Sequence, residues 1–185
     1  RGIQVELLLG EPTWVLPTGR GNMLALLQKV QTLPFAMVHL DLERSQLPKA
    51  QQDGWERLAL ETVREAVSQS RLPISLTTHH RELHLPGFLA ALQQAGVKEV
   101  IPMIYSANAK RTVDVIKALP PMPKGLDLAV AQSIEKVLPA EESRFRSGRK
   151  KSLAHWDGIA QSLRSVPGFK GIVVQSWEDY MEAKP

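Results

Sequence analysis

Residues 35–43 read Phe-Ala-Met-Val-His-Leu-Asp-Leu-Glu, and the two parities of this stretch differ in kind. Ala36, Val38, Leu40 and Leu42 fall on one, His39, Asp41 and Glu43 on the other. A β-strand sends successive side chains to opposite faces, so this is a strand with one apolar face and one face of ionisable groups. On an antiparallel sheet the second face would simply meet water. Here the other strands alternate with helices, which implies a parallel sheet, and parallel sheets are normally covered on both faces. Acids on such a strand therefore line a cleft, a barrel lumen or a strand end, and Asp41 with Glu43 becomes the leading candidate for chemistry.

Working outward, residues 3–10 form a first strand ended by Gly10 and Pro12, with Trp14 in the loop that follows. A short helix over 22–30 leads through Pro34 into the central strand, and a longer one over 51–70 carries an apolar stripe of Trp55, Leu58, Leu60, Val63 and Ala66. Further strands are expected at 74–78, 99–105, 125–131 and 170–177. Helices are expected at 87–95, 110–119 and 155–163, and the basic run Arg144, Arg146, Arg149, Lys150, Lys151 falls in a long loop after the fifth strand. Six strands separated by helices predict an α/β fold with a parallel sheet. Either an open parallel α/β sheet or a (β/α)₈ TIM-barrel-like fold lacking its first two units fits. With the aliphatic residues of each strand outward, the other face holds Glu6, His39, Asp41, Glu43, Ser75, Thr77, His79, Met103, Tyr105, Asp127, Ala129, Gln175 and Trp177. Helices on both faces of an open sheet would bury these polar groups unpaired, whereas a wet lumen accepts them, so the incomplete barrel is favoured.

The 185 residues suit one domain, with hydrophobic residues at 43% and charged residues at 23% in the ordinary globular range. No apolar run reaches the roughly 20 residues of a membrane-spanning helix. The net charge of +4 owes much to the one basic run and says little about partners; with a single interleaved aromatic, Phe145, and no accompanying motif, that run does not predict nucleic-acid binding. The absence of cysteine excludes disulfides, thiol nucleophiles and cysteine-bound zinc. No phosphate-cradling Gly-rich pattern or serine nucleophile elbow occurs, so no cofactor is expected. The chain opens at Arg1 and enters a strand almost at once, which leads us to expect a natural start further upstream.

Barrel active sites gather at the carboxyl ends of the strands. Those ends carry Trp14, Asp41 with Glu43, His79 with His80, Tyr105 with Ser106, Gln132, and Trp177 with Glu178. Two carboxylates among aromatics suit a sugar-cleaving site, in which rings stack on pyranose faces and one carboxylic acid protonates the glycosidic oxygen. Asp41 and Glu43, about 6.6 Å apart along a strand, would raise each other's proton affinity and help to keep Glu43 protonated.

Asp41-Leu42-Glu43, Met103-Ile104-Tyr105 two strands on, and Trp177 two strands beyond resemble motifs of the chitinase-like family eighteen of glycoside hydrolases, on its fourth, sixth and eighth barrel strands. The resemblance implies that the chain supplies strands three to eight, the C-terminal part of a TIM-like barrel. It implies Glu43 as general acid and base, Asp41 orienting a substrate N-acetyl group, Tyr105 holding that group, and Trp177 flooring the sugar subsite. Trp14, His39, His79 and Gln175 complete the expected substrate-binding set. The first two acids of the family's Asp-x-x-Asp-x-Asp-x-Glu signature are Ala36 and His39 here, and the Asp after its Met-x-Tyr is Ser106. The expectation is therefore a distant relative acting on, or only binding, an oligosaccharide or polysaccharide, with an upstream segment or second chain completing the barrel. A second expectation is a metal-dependent hydrolase using His39, Asp41 and His79, with Glu6 within reach. A third is that the basic run holds an anionic polysaccharide or a phosphate.

Overall fold

The computed structural model describes residues 4–185. Six strands form one sheet: β1 Leu7–Gly10, β2 Val38–Asp41, β3 Ile74–His79, β4 Glu99–Met103, β5 Asp127–Ser133 and β6 Phe169–Gln175. Every neighbouring pair is parallel and the spatial order is the chain order. The expected strands are all present, mostly shorter than their apolar runs; residue 3 of the first expected strand lies outside the described residues. Glu43 and Tyr105 stand just beyond β2 and β4, in the strand-to-helix turns.

Among the described residues six α-helices intervene or follow: α1 Pro17–Val30, α2 Trp55–Gln69, α3 Phe88–Gln94, α4 Ala109–Lys117, α5 Arg149–Leu163 and α6 Trp177–Glu182. The apolar parity of β2 is fully buried at Val38, Leu40 and Leu42 and joins one large core with Leu76, Leu128, Val130, Trp55, Ala59, Val63 and Ile159. The stripe of α2 thus faces the sheet, as its spacing predicts. A separate small cluster of Ile101, Ala129 and Ala131, with Met103 and Tyr105 against it, occupies the opposite sheet face. One cavity is lined by residues of both edge strands, β1 and β6, as well as β2 to β5, so the sheet curls into a half-barrel. The expected fold is upheld, and among the described residues β1 and β6 do not pair with each other.

Arg20 holds the first crossover in place. Its side chain is buried, and its guanidinium donates to Glu65 at 2.6 Å and to Glu61 at 3.3 Å, while Nε donates to Thr62 Oγ1 at 3.0 Å. Thr62 donates in turn to the carbonyl of Trp14 at 3.2 Å. This network pins the single-turn helix Pro12–Val15 onto α2 and seats Trp14 in the core at 9% exposure. Trp14, expected in the substrate site, is therefore a packing residue.

Two other expectations are corrected. Arg149, Lys150 and Lys151 form the first turn of α5 rather than a loop, even though cations oppose the positive end of a helix dipole. That turn is anchored by the Arg149 N–H, which donates to the Lys184 carbonyl at 2.6 Å. Trp177 starts α6 instead of ending β6, because Ser176 caps that helix by accepting from the Asp179 N–H at 3.3 Å.

The two faces of the sheet should respond differently to truncation. Leu40→Ala, on the buried face, is expected to cost about 2–5 kcal/mol in chemical denaturation. Leu8→Ala, at 52% exposure on the concave face, is expected to cost less than about 1 kcal/mol. Equal losses would mean that the concave face is packed.

Candidate functional site

The concave face holds a cavity of about 770 Å³. Of the residues assigned to the inner face from the sequence, Glu6, His39, Asp41, Glu43, Thr77, Met103, Tyr105, Gln175 and Trp177 line it. Ser75 is buried at the level of His39 and Glu99, in register with both. His79 lines a smaller cavity of about 280 Å³ beside the main one, into which Glu43, Met103 and Tyr105 also project.

Asp41 ends β2 opposite Gly10 of β1. A side chain at Gly10 would start 3.1 Å from the Asp41 Cβ, closer than an ordinary contact, so the glycine gives the Asp41 side chain room beside the edge strand. Asp41 Oδ1 is buried without a hydrogen-bond partner among the described residues. Burial and the neighbouring Glu43 charge push its pKa from 3.8 up to about 6. Glu43 is also raised by burial, opposed by hydrogen bonds donated by Gln46 and Ser45. Tyr105 stays protonated far into alkali because it is buried near Glu135, Asp41 and Glu43.

His39 is buried and hydrogen-bonded through Nε2 to the Thr77 hydroxyl, and burial lowers its pKa to about 4. It is therefore a neutral lumen histidine at physiological pH. Glu6 precedes Gly10 by four residues, roughly 13 Å along a strand from the level of Asp41. Its charge, with that of Asp127, adds to burial in raising Glu99 to about 7, against the attraction of Lys170. Among the described residues no group of three or more His, Asp or Glu is placed to hold a metal ion. The expected metal-dependent hydrolase is thus corrected: His39 is tied to Thr77, His79 opens into the side cavity, and Glu6 is a strand length away.

At the open edge, Gln175 is exposed, and Trp177 is 71% exposed with its ring stacked on Tyr180 at 5.8 Å. Tyr180 was missed in the sequence; the Ser176-x-x-Asp179 spacing, which signals a helix start, would have brought it beside Trp177. Gln132, expected at a strand end, is buried on the other face, where it donates to the Ile104 carbonyl. None of the basic residues between 144 and 151 lines either cavity.

No protein-family model matches the chain. Nor does any curated protein. Among solved structures it is similar to a mutant tryptophan synthase alpha-subunit from the hyperthermophile Pyrococcus furiosus. The TM-score is 0.51 at 13% identity, covering 92% of this chain and 77% of that one. A second mutant of the same subunit aligns with a TM-score of 0.47 at 15% identity, over 97% and 82% of the two chains. At such identity the first likeness bears on fold alone: this is a partial TIM-barrel fold.

These findings overturn the chitinase-like reading and, with it, the glycosidase and its non-catalytic, carbohydrate-binding variant. The structural neighbours belong to a different enzyme class, and no sequence relative supports the resemblance. Motifs two strands apart fall at corresponding ends of any half-barrel built in chain order, and a tripeptide such as Asp-Leu-Glu is too short to specify a family.

The Asp41 carboxyl has a consequence for stability. The folded state holds more protons than the unfolded one between pH 4 and 6, so stability should fall as pH rises through that window. Asp41→Asn, which cannot ionise, should be more stable than the parent by about 1–2 kcal/mol at pH 8, discounted for partial solvent screening, and equal to it near pH 4. Thermal unfolding at the two pH values tests this; a pH-independent difference would remove Asp41 as the titrating group.

Proposed function

We propose that the concave face is an acid–base site that moves a proton on a small substrate bearing a carbonyl or comparable oxygen, an isomerase- or lyase-type step. The observation that carries this reading is Asp41, a carboxyl at a strand end with one oxygen buried and unpartnered, a second acid beside it, and a proton affinity close to neutrality. Asp41 as a carboxylate takes a proton from the carbon next to the carbonyl, and the electron pair moves onto the carbonyl oxygen. Tyr105, which keeps its proton, donates a hydrogen bond to that oxyanion. Glu43 in its protonated form returns a proton to the substrate, and Asp41 then releases its proton to solvent while Glu43 regains one, which restores the starting state. His39 and Gln175 line the polar part of the cavity; Met103, Val173 and Trp177 line the apolar part.

Deuterium incorporation in heavy water, followed by proton NMR across a panel of small ketones, aldehydes and oxo acids, tests the reading. Exchange should fall roughly 100-fold or more in Asp41→Asn and by about tenfold in Tyr105→Phe, with the fold intact. Exchange that survives Asp41→Asn, or none with any member of the panel, overturns it.

The partner we infer is polypeptide bridging β1 and β6, in the form of two further β/α units joined to this chain or carried by a second one. Support comes from the edges of β1 and β6, which are unpaired among the described residues and carry exposed Leu8 and Val173 on the concave face, since bare parallel edges with apolar side chains are rarely left to solvent. Hydrogen exchange should show unprotected amides at 7–10 and 169–175 in the isolated chain and protection once the bridging units are supplied. The double change Leu8→Lys, Val173→Lys should prevent that gain; edges already protected in a monomer would sink the idea. No helix among the described residues is long and apolar enough to cross a membrane.

A further inference from the structure

We propose that the side cavity between the carboxyl ends of β3 and β4 is an oxyanion subsite, holding the phosphoryl or carboxylate group of the substrate whose other end reaches Asp41. The role of the bound group rests on the proton-transfer reading; the binding itself does not. The cavity, about 280 Å³, shares Glu43, Met103 and Tyr105 with the main one, so a molecule anchored in it extends directly over the acid pair.

Its cationic arms come from two elements. Arg81 lies in the short helix His80–His84 that follows β3, and Arg111 is the third residue of α4, at the positive end of that helix dipole. Both are exposed, and among the described residues neither forms an ion pair. Guanidinium groups match the paired oxygens of carboxylate and phosphate.

Two ring systems complete the wall. His79 Nδ1 accepts from the Arg81 backbone N–H at 3.2 Å, which leaves the neutral ring carrying its proton on Nε2, a free donor. The His80 ring lies 4.4 Å from it, and its Nδ1 is buried with no hydrogen-bond partner. Burial first, and then the nearby guanidinium groups of Arg81 and Arg111, push the His80 pKa down to about 4, so its ring is neutral at physiological pH. Two acids share the lining: Glu142 is exposed, and the Glu43 carboxyl is raised by burial and accepts hydrogen bonds from Gln46 and Ser45.

Calorimetric titration of the full chain with inorganic phosphate and, separately, acetate tests the site. Saturable binding is expected, weakened roughly tenfold by Arg81→Ala and by Arg111→Ala, and unaffected by Arg146→Ala outside the cavity. Tighter acetate than phosphate would assign the subsite to carboxylates, and the reverse to phosphoryl groups; either supports it. Failure to saturate, affinity unchanged in the double arginine variant, or equal loss with Arg146→Ala overturns it. Asp41→Asn separates the two readings: it should bind phosphate normally while losing deuterium exchange. For any exchanging anionic substrate, Arg111→Ala should raise KM and leave kcat in place.

Discussion

Everything in this structure depends on one constraint: parallel strands laid down in chain order, each joined to the next by a crossover of the same hand. Such crossovers are right-handed almost without exception, because a twisted strand feeding a helix packs back onto the sheet in only one way. With the spatial order identical to the chain order, every crossover helix arrives on the same face. The apolar parities of β2, β3 and β5 bury themselves there, and among the described residues the other face opens into the cavity. Ionisable side chains at positions 39, 41 and 43 are tolerated because their parity points into that vacancy.

The first crossover shows how local chemistry serves this arrangement. Arg20 is buried at a cost offset by its acidic and hydroxyl partners on α2 and by the carbonyls of Val15 and Leu58. In return the network fixes the turn after β1 and draws Trp14 into the core. On the opposite side of the sheet, Gly10 leaves space for the Asp41 carboxyl. Packing on one face and chemistry on the other thus meet at the end of β1.

Strand parity was legible from the sequence because it depends only on alternation: most of the inner-face assignment survives in the cavity lining, and Asp41 and Glu43 stand together in it. Charge runs were less informative. The basic run read as a loop, yet its last three residues wind the first turn of α5, where tertiary packing and the Lys184 carbonyl outweigh an unfavourable dipole. The family resemblance failed for a related reason. Its three motifs were separated by whole strand intervals, and that spacing belongs to the barrel layout rather than to any one chemistry.

By itself, then, the sequence determined the six strands, their alternation with crossover helices, and which parity of most strands carries polar groups, since these follow from short-range periodicity. Only the tertiary structure decided how far the sheet curls around its lumen. It also decided that Trp14 leaves the site, that His39 is tied to Thr77, and that Arg81 and Arg111 converge on His79 and His80. Those outcomes depend on how far the sheet curls and on contacts between residues distant in the chain. Local patterning carries no information about either, because curvature and convergence are settled by the packing of all six crossovers at once.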